Sequence, residues 1–221
     1  MKVILYGGSG MVGQGVLREC LLDADVEQVL SVGRSAMEQQ HPKLRELVLP
    51  DLSTYFGRED EFTGCDACFF CLGVSAAGMK ETDYHHVTYG YTLAAAETLV
   101  KLNPGMTFVY VSGAGTDSTE QGRVMWARVK GKTENALLRL PFKAVYLFRP
   151  AGIRPLHGIT SRTRAYRIFY SLAWPLLPLL AHAFPSFMTT TERIGRAMLK
   201  AARVGAPNAV LESWDINELG A

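Results

Sequence analysis

Residues 2–22 read KVILYGGSGMVGQGVLRECLL, and the reading of this stretch decides the fold. Lys2 to Tyr6 is a short continuous apolar run ending in glycines, the pattern of a strand buried on both faces. Met11, Val12, Val16, Leu17, Cys20 and Leu21 then recur at helical spacing, with Gln14, Arg18 and Glu19 off the stripe and Asp23 closing the helix. Between strand and helix the spacing is G-x-x-G-x-x-G, through Gly7, Gly10 and Gly13. Glycines there let the backbone turn tightly and approach a pyrophosphate, whose charge meets the exposed N–H groups of a helix start. Gly7, Gly8, Ser9, Gly10, Met11, Val12 and Gly13 are therefore candidate dinucleotide contacts.

The same alternation continues outward. Strands are expected at Val26–Val32, Glu46–Leu49, Ala67–Leu72, Thr107–Val111 and Ala144–Phe148, with helices over Thr82–Leu102 and Gly122–Leu140. Strands alternating with helices imply an α/β fold, a Rossmann-type doubly wound parallel sheet covered on both faces. After Pro150 the texture changes, and residues 168–191 carry no acidic or basic side chain apart from His182. We expect a dinucleotide-binding unit over 1–155 and a small helical C-terminal lobe over 156–221 packed on it, forming one structural domain. Thr189 with Glu192 three residues later reads as a capping box opening a last helix to about Val204. The tail from Ala209 either adds a short strand or packs along the surface.

Composition narrows the class. The chain has 221 residues, 48% hydrophobic and 20% charged, with a formal net charge of +2, so it can bury a core and is not a disordered chain. The balanced charge argues against a dedicated nucleic-acid binder. It is unevenly distributed, however: residues 1–122 hold 8 basic and 16 acidic side chains, residues 123–167 hold 11 and 1. An acidic partner should therefore meet residues 123–167. Four cysteines make no disulfide scaffold, and no signal-peptide pattern opens the chain, so a reducing, cytoplasmic setting is expected.

The end of the second strand selects the dinucleotide. An acidic residue there suits the ribose 2′-OH of NAD, whereas an arginine neutralises a 2′-phosphate. The chain offers Arg34 and Ser35, which favours NADP(H) over NAD(H). Asp51 and Leu52, after the third strand, either reach the adenine edge or cap the next turn.

Taken with the glycine loop, Phe70-Cys71-Leu72-Gly73, Tyr110-Val111-Ser112, Lys130-x-x-x-Glu134 and Arg149-Pro150 resemble the extended or atypical short-chain dehydrogenase/reductase superfamily. The likeness is to its NAD(P)-dependent epimerase/dehydratase-like proteins, and among them to the Tat-interacting oxidoreductase-like branch. It covers about residues 1–155. The resemblance implies that Leu72 and Gly73 lie by the adenosine ribose, that Val111 is a cofactor contact, that Pro150 and Ala151 lie near the nicotinamide, and that Lys130 holds the nicotinamide ribose. It also implies a catalytic Ser with a Tyr-x-x-x-Lys motif, for which Ser112 and Lys130 match. The tyrosine position is Trp126, whose indole is a donor only and cannot serve as acid or base. Three readings stay open: Tyr84, His85, Tyr89 or Tyr91 replaces the phenol; the chain binds NADP(H) as a non-catalytic sensor or structural protein; or Ser112 or a water relays the proton. The leading function is an oxidoreductase or epimerase-like enzyme acting on a small carbonyl or hydroxyl compound.

Other signals are discounted. Cys65, Cys68 and Cys71 suggest a metal site, but Cys68 and Cys71 would face opposite sides of one strand, so no metal is expected. Ser112 lacks the G-x-S-x-G elbow of a hydrolase. The apolar run Leu172–Ala181 holds two prolines and is too short to span a bilayer. With Arg162, Arg164 and Arg167 before it, the segment 162–187 is a candidate for shallow membrane attachment, a protein contact or a cap over a substrate pocket. By analogy, the two long helices are candidates for a homodimer contact.

Overall fold

The computed structural model describes residues 1–37, 39–160 and 187–221. In chain order the elements are β1 (Lys2–Tyr6), α1 (Met11–Leu22), β2 (Gln28–Gly33), β3 (Leu44–Val48), a 3-10 turn (Glu59–Phe62), β4 (Ala67–Phe70), α2 (Glu81–His85), α3 (Tyr91–Leu102), β5 (Thr107–Val111), α4 (Met125–Leu138), β6 (Ala144–Arg149), β7 (Gly152–Arg154), β8 (Met188–Thr190), α5 (Thr191–Val204), β9 (Val210–Glu212) and α6 (Ser213–Leu219). Seven strands form one sheet in the order β3-β2-β1-β4-β5-β6-β9, all parallel. The order reverses between β1 and β4, so the crevice beyond their carboxyl ends is the place where such sheets take ligands. The Rossmann-type reading of the sequence therefore holds.

Period-two alternation divides the core into two layers. Val3 and Leu5 of β1 face α1, α5 and α6 with Val16, Ile194, Met198 and Ile216. Ile4 and Tyr6 face the other side, where Phe70, Phe108, Ala95, Leu99 and Leu137 pack. Each fully buried aliphatic or aromatic side chain contributes about 1.5–3 kcal/mol through burial. Cys68 packs in the second layer and Cys71 against the first, so the two thiols lie on opposite faces.

The C-terminal stretch is built into this sandwich. β9 extends the sheet beside β6. α5 lies so close on α1 that a Cβ at Gly15 would come 2.6 Å from Thr191 Cβ, and one at Gly195 would come 2.7 Å from Glu19 Cγ. Residues 187–221 thus complete the Rossmann core rather than forming a lobe upon it. The last helix does run to Val204, but its cap is Thr190, whose Oγ1 accepts from Arg193 N at 3.1 Å; Thr189 lies buried in β8. Glu192 instead pairs with His157 at 2.6 Å and Arg196 at 2.7 Å. The stretch expected as one helix from Thr82 is interrupted by a π turn at His86–Gly90, where the Thr92 hydroxyl donates back to Thr88 O at 2.5 Å. β4 ends at Phe70, with one further ladder bond from Cys71 N to Tyr6 O at 3.0 Å before the chain leaves the sheet. The apolar run 172–181 and the arginines at 162, 164 and 167 lie outside the described residues. Among the described residues no helix is long and apolar enough to cross a membrane.

Candidate functional site

The glycine loop leaves β1 at Gly7, which has φ +77° and would place a Cβ 2.7 Å from Leu72 N and 2.8 Å from the Cys71 carbonyl. No side chain other than hydrogen fits there. Gly10 N donates to Gly7 O at 2.9 Å, closing the turn. Gly13, in the first turn of α1, would place a Cβ 2.0 Å from Gly7 O, so loop and helix touch backbone to backbone. The helix opens on Gly10 without a side-chain cap. Its first N–H groups are left for a ligand or solvent, and the helix dipole favours an anion there. The loop therefore fits a pyrophosphate, with Gly7 to Gly13 as its cradle and Leu72 and Gly73 at its margin.

Arg34 and Ser35 follow β2 directly and are exposed. Among the described residues Arg34 forms no ion pair. A Cβ at Gly8 would come 2.8 Å from Ser31 Oγ and 3.2 Å from Met37 Sδ, which ties the loop to the end of β2. Asp51 caps its own turn, accepting from Ser53 N at 2.9 Å and Ser53 Oγ at 2.7 Å, and these bonds hold its carboxyl below the usual range. The Leu52 side chain is buried in the core.

The reactive end expected at Ser112 and Lys130 is brought together, but not in the arrangement that a serine relay needs. The Ser112 hydroxyl is buried and donates to Glu134 Oε1 at 2.5 Å, with Phe148 O at 3.2 Å. Glu134 in turn is gripped by Arg149 through Nε at 3.0 Å and through Nη2, while Arg149 Nη2 also reaches Ser118 Oγ at 2.6 Å. Ser112 thus spends its donor on an internal ion pair. Lys130 Nζ donates to the Ser112 carbonyl and lies 5.9 Å from the centroid of the Tyr110 ring. Burial draws its amine down to about 8, and the nearby Glu134 only partly opposes this. Trp126, one helical turn before Lys130, lies on the same face of α4 and packs toward Gly115.

The candidates to replace the missing phenol fall in different surroundings. Tyr84 is buried beside Tyr110, and burial first and Tyr84 second push the Tyr110 phenol well above its usual range. His85 stacks on Tyr89 with ring centroids 4.7 Å apart, Lys132 Nζ covers the other ring at 5.1 Å, and burial followed by the Lys132 charge lowers the His85 imidazole. Tyr91 meets His86 edge-on at 4.9 Å. Two features escaped sequence reasoning. Ser213 Oγ accepts from Ala151 N at 2.9 Å, and Glu212 and Asp215 form the capping box of α6. The tail therefore anchors the strand end that follows Pro150. The Glu212–Asp215 spacing was the signal, but nothing local links it to a residue 62 positions earlier.

No protein-family model matches the chain. Curated relatives include Protein FMP52 of Meyerozyma guilliermondii, 24% identical over 91% of this chain and 85% of its own, and Protein FMP52-2 of Scheffersomyces stipitis, 27% identical over 66% of this chain. The matched region spans 63% of the length of the Scheffersomyces protein. Both are named mitochondrial, which overturns the cytoplasmic expectation. The absence of a leader pattern was a weak basis for it. Solved structures with the same fold include the Bordetella bronchiseptica enzyme WbmF in complex with NAD+, at TM-score 0.69 and 16% identity, covering 98% of this chain and 76% of that one. The UDP-glucose 4-epimerase of Thermotoga maritima superposes at TM-score 0.68 and 13% identity, over 96% of this chain and 76% of its own. At these identities the likeness establishes the fold. The narrower Tat-interacting branch has no support from these matches.

Proposed function

We propose that the chain binds NADP(H) in preference to NAD(H) and acts as an epimerase/dehydratase-like oxidoreductase on a small carbonyl or hydroxyl compound. The observation that carries the reading is the glycine cradle at the switch point of the parallel sheet, where added Cβ atoms at Gly7 and Gly13 would fall 2.7 Å and 2.0 Å from backbone. Such close approach leaves a surface of N–H groups and no side chains, which suits a pyrophosphate. In this reading Arg34 and Ser35 take the 2′-phosphate, Leu72, Gly73, Val111, Pro150 and Ala151 border the cleft, and Lys130 lies at the reactive end. The bound dinucleotide supplies hydride chemistry. The complexes of the fold neighbours with NAD support the cofactor class, and the names of the fungal relatives support a mitochondrial setting.

Titration of the purified chain with NADPH and NADH tests this reading. We expect NADPH to bind in the micromolar range and NADH at least about tenfold more weakly, a difference of about 1.4 kcal/mol. Binding of neither below millimolar concentrations would remove the basis of the proposal. A second reading, a non-catalytic NADP(H)-binding protein, is favoured by Trp126 at the phenol position and by the engagement of Ser112 with Glu134. A panel of carbonyl substrates separates the two. Turnover by the unaltered chain supports the enzyme, whereas turnover that appears only in Trp126→Tyr supports the binder.

A further inference from the structure

Of Ser112, Tyr110, Tyr84 and Lys130, the first three are not open to proton exchange with a ligand. Ser112 Oγ serves the buried Glu134–Arg149 pair. Tyr110 and Tyr84 are buried at 1% and 2% exposure, beneath the surface that a ligand would touch. Lys130 Nζ is different. Its hydrogen-bond partner is a neutral carbonyl, that of Ser112, and not a carboxylate. The one carboxylate nearby on α4, Glu134, is already held by two nitrogens of Arg149 and by the Ser112 hydroxyl. An ammonium has three protons, and one is given to that carbonyl. The titratable and charged groups on the elements packed around α4 are Glu81, Asp83, Tyr84 and His85 from α2, His86 and Tyr89 from the π turn, Tyr91, Glu97 and Lys101 from α3, Tyr110 from β5, Tyr146 and Arg149 from β6, and Arg128, Lys132 and Glu134 on α4 itself. Glu81 is paired with Arg128, Asp83 and Glu97 are exposed, and Glu134 is held by Arg149, so none of these carboxylates bonds the Lys130 amine.

We propose that Lys130 Nζ is itself the proton-exchanging group of this site, standing in for the phenol that Trp126 excludes. In one direction an N–H bond of the ammonium breaks as an O–H bond forms on an alkoxide oxygen of the bound compound, leaving a neutral amine. In the other the amine takes the proton of a hydroxyl. No electrons change hands in this step, and the amine re-equilibrates with water. The inference rests on the dinucleotide-binding reading. The direction in which burial moves the amine agrees with the geometry, since a lysine that stays fully charged at neutral pH would be a poor acceptor.

The test uses the full chain with isotope-labelled lysine, following each Cε resonance by NMR from about pH 6 to about pH 11, with Lys130 assigned by its absence in Lys130→Arg. We expect the Lys130 resonance to inflect near pH 8, well below the reference lysine value of about 10.4. In parallel, competitive acetylation with acetic anhydride should modify Lys130 with the same pH dependence, and saturating NADPH should slow that modification at least about tenfold. A Lys130 amine that titrates with the rest overturns the proposal and leaves the dinucleotide reading standing. Titration near pH 8 in a chain that binds NADPH without protecting Lys130 also overturns it, because the amine then lies away from the reactive end. A chain that binds no NADPH overturns the dinucleotide reading, and the proposal falls with it.

Discussion

Alanine at Gly10 and at Gly13 should act in opposite ways, and the contrast tests whether the loop is a cofactor cradle or merely a tight turn. At Gly13 the new Cβ would lie 2.0 Å from Gly7 O, 2.7 Å from Gly7 C and 2.9 Å from Gly8 Cα. Ordinary contact begins at 3.4 Å, so the Gly7 oxygen must retreat by more than an ångström and Gly8 Cα by about half as much. All of the clashing atoms are backbone, and Gly7 is already pinned against Leu72 N, so relief comes only by opening the junction of β1 and α1. Overpacking of this kind costs about 1–3 kcal/mol, against which alanine in a helix returns up to about 1 kcal/mol. Gly13→Ala should lower stability by roughly 1–2 kcal/mol, seen as a lower urea midpoint at an unchanged slope. Gly10 is at the N-cap with φ −80°, and its Cβ would meet only Gly7 O, at 3.3 Å. The fold should accept Gly10→Ala within about 0.5 kcal/mol. A methyl at that point nevertheless stands where a pyrophosphate would approach the helix start, so NADPH affinity should fall at least about thirtyfold, about 2 kcal/mol. Isothermal titration and urea unfolding on the two variants decide the matter. If Gly10→Ala binds NADPH as the unaltered chain does, the loop is a structural turn and the cradle argument fails.

Three further outcomes follow from the same geometry. Arg34→Glu should weaken NADPH at least about tenfold and leave NADH unchanged or improved, since the exposed guanidinium is replaced by a 2′-OH acceptor; equal losses for both would refute the assignment. Glu134→Leu should destabilise the chain by up to about 3 kcal/mol because the half-buried Arg149 loses its bidentate partner, whereas the double variant with Arg149→Met should recover more than half of that loss in thermal unfolding. The Lys130 amine, lowered to about 8 by burial, makes stability depend on pH: below about 8 it is charged in both states, and as pH rises from there toward about 10.4 the folded chain releases the proton first. The unfolded chain then binds more protons, so stability rises, by roughly 3 kcal/mol at most, and Lys130→Met should lack that rise.

The first βαβ unit was legible because each of its signals is local: an apolar run, a glycine spacing and a helical stripe that agree within 21 residues. β5 matched its expected bounds, Thr107–Val111, and both of its faces are buried. What stayed hidden was non-local. The contact of α5 with α1 depends on Gly15 and Gly195, about 180 residues apart, and neither announces a helix crossing in its own neighbourhood. The helix cap was displaced by one residue because three successive threonines offer a hydroxyl: Thr189 is buried, Thr191 Oγ1 accepts from Leu156 N, and Thr190 Oγ1 accepts from Arg193 N. The resemblance put Ser112 and Lys130 side by side, and they are neighbours, with Lys130 Nζ donating to the Ser112 carbonyl. It did not disclose that the Ser112 hydroxyl meets a carboxylate, Glu134, that is gripped by an arginine from another strand.

The concentration of cations along residues 123–167 shows the same limit in electrostatic form. A charge run in the chain is a charge patch in space only if its members stay unpaired and on one surface. Here Arg128 is paired with Glu81 at 2.8 Å, Arg149 is held by Glu134 with Glu212 3.7 Å away, and Lys130 points its amine at a carbonyl. The basic stretch therefore neutralises its own Glu134 together with carboxylates from α2 and the C-terminal tail. Among the described residues of the stretch, Arg123, Lys132, Arg139 and Lys143 remain exposed. A contact with an acidic partner through this described surface would draw on those four and on the partly exposed Arg154, and its strength should fall steeply with salt because exposed charges are screened within about 10 Å at 0.1 M.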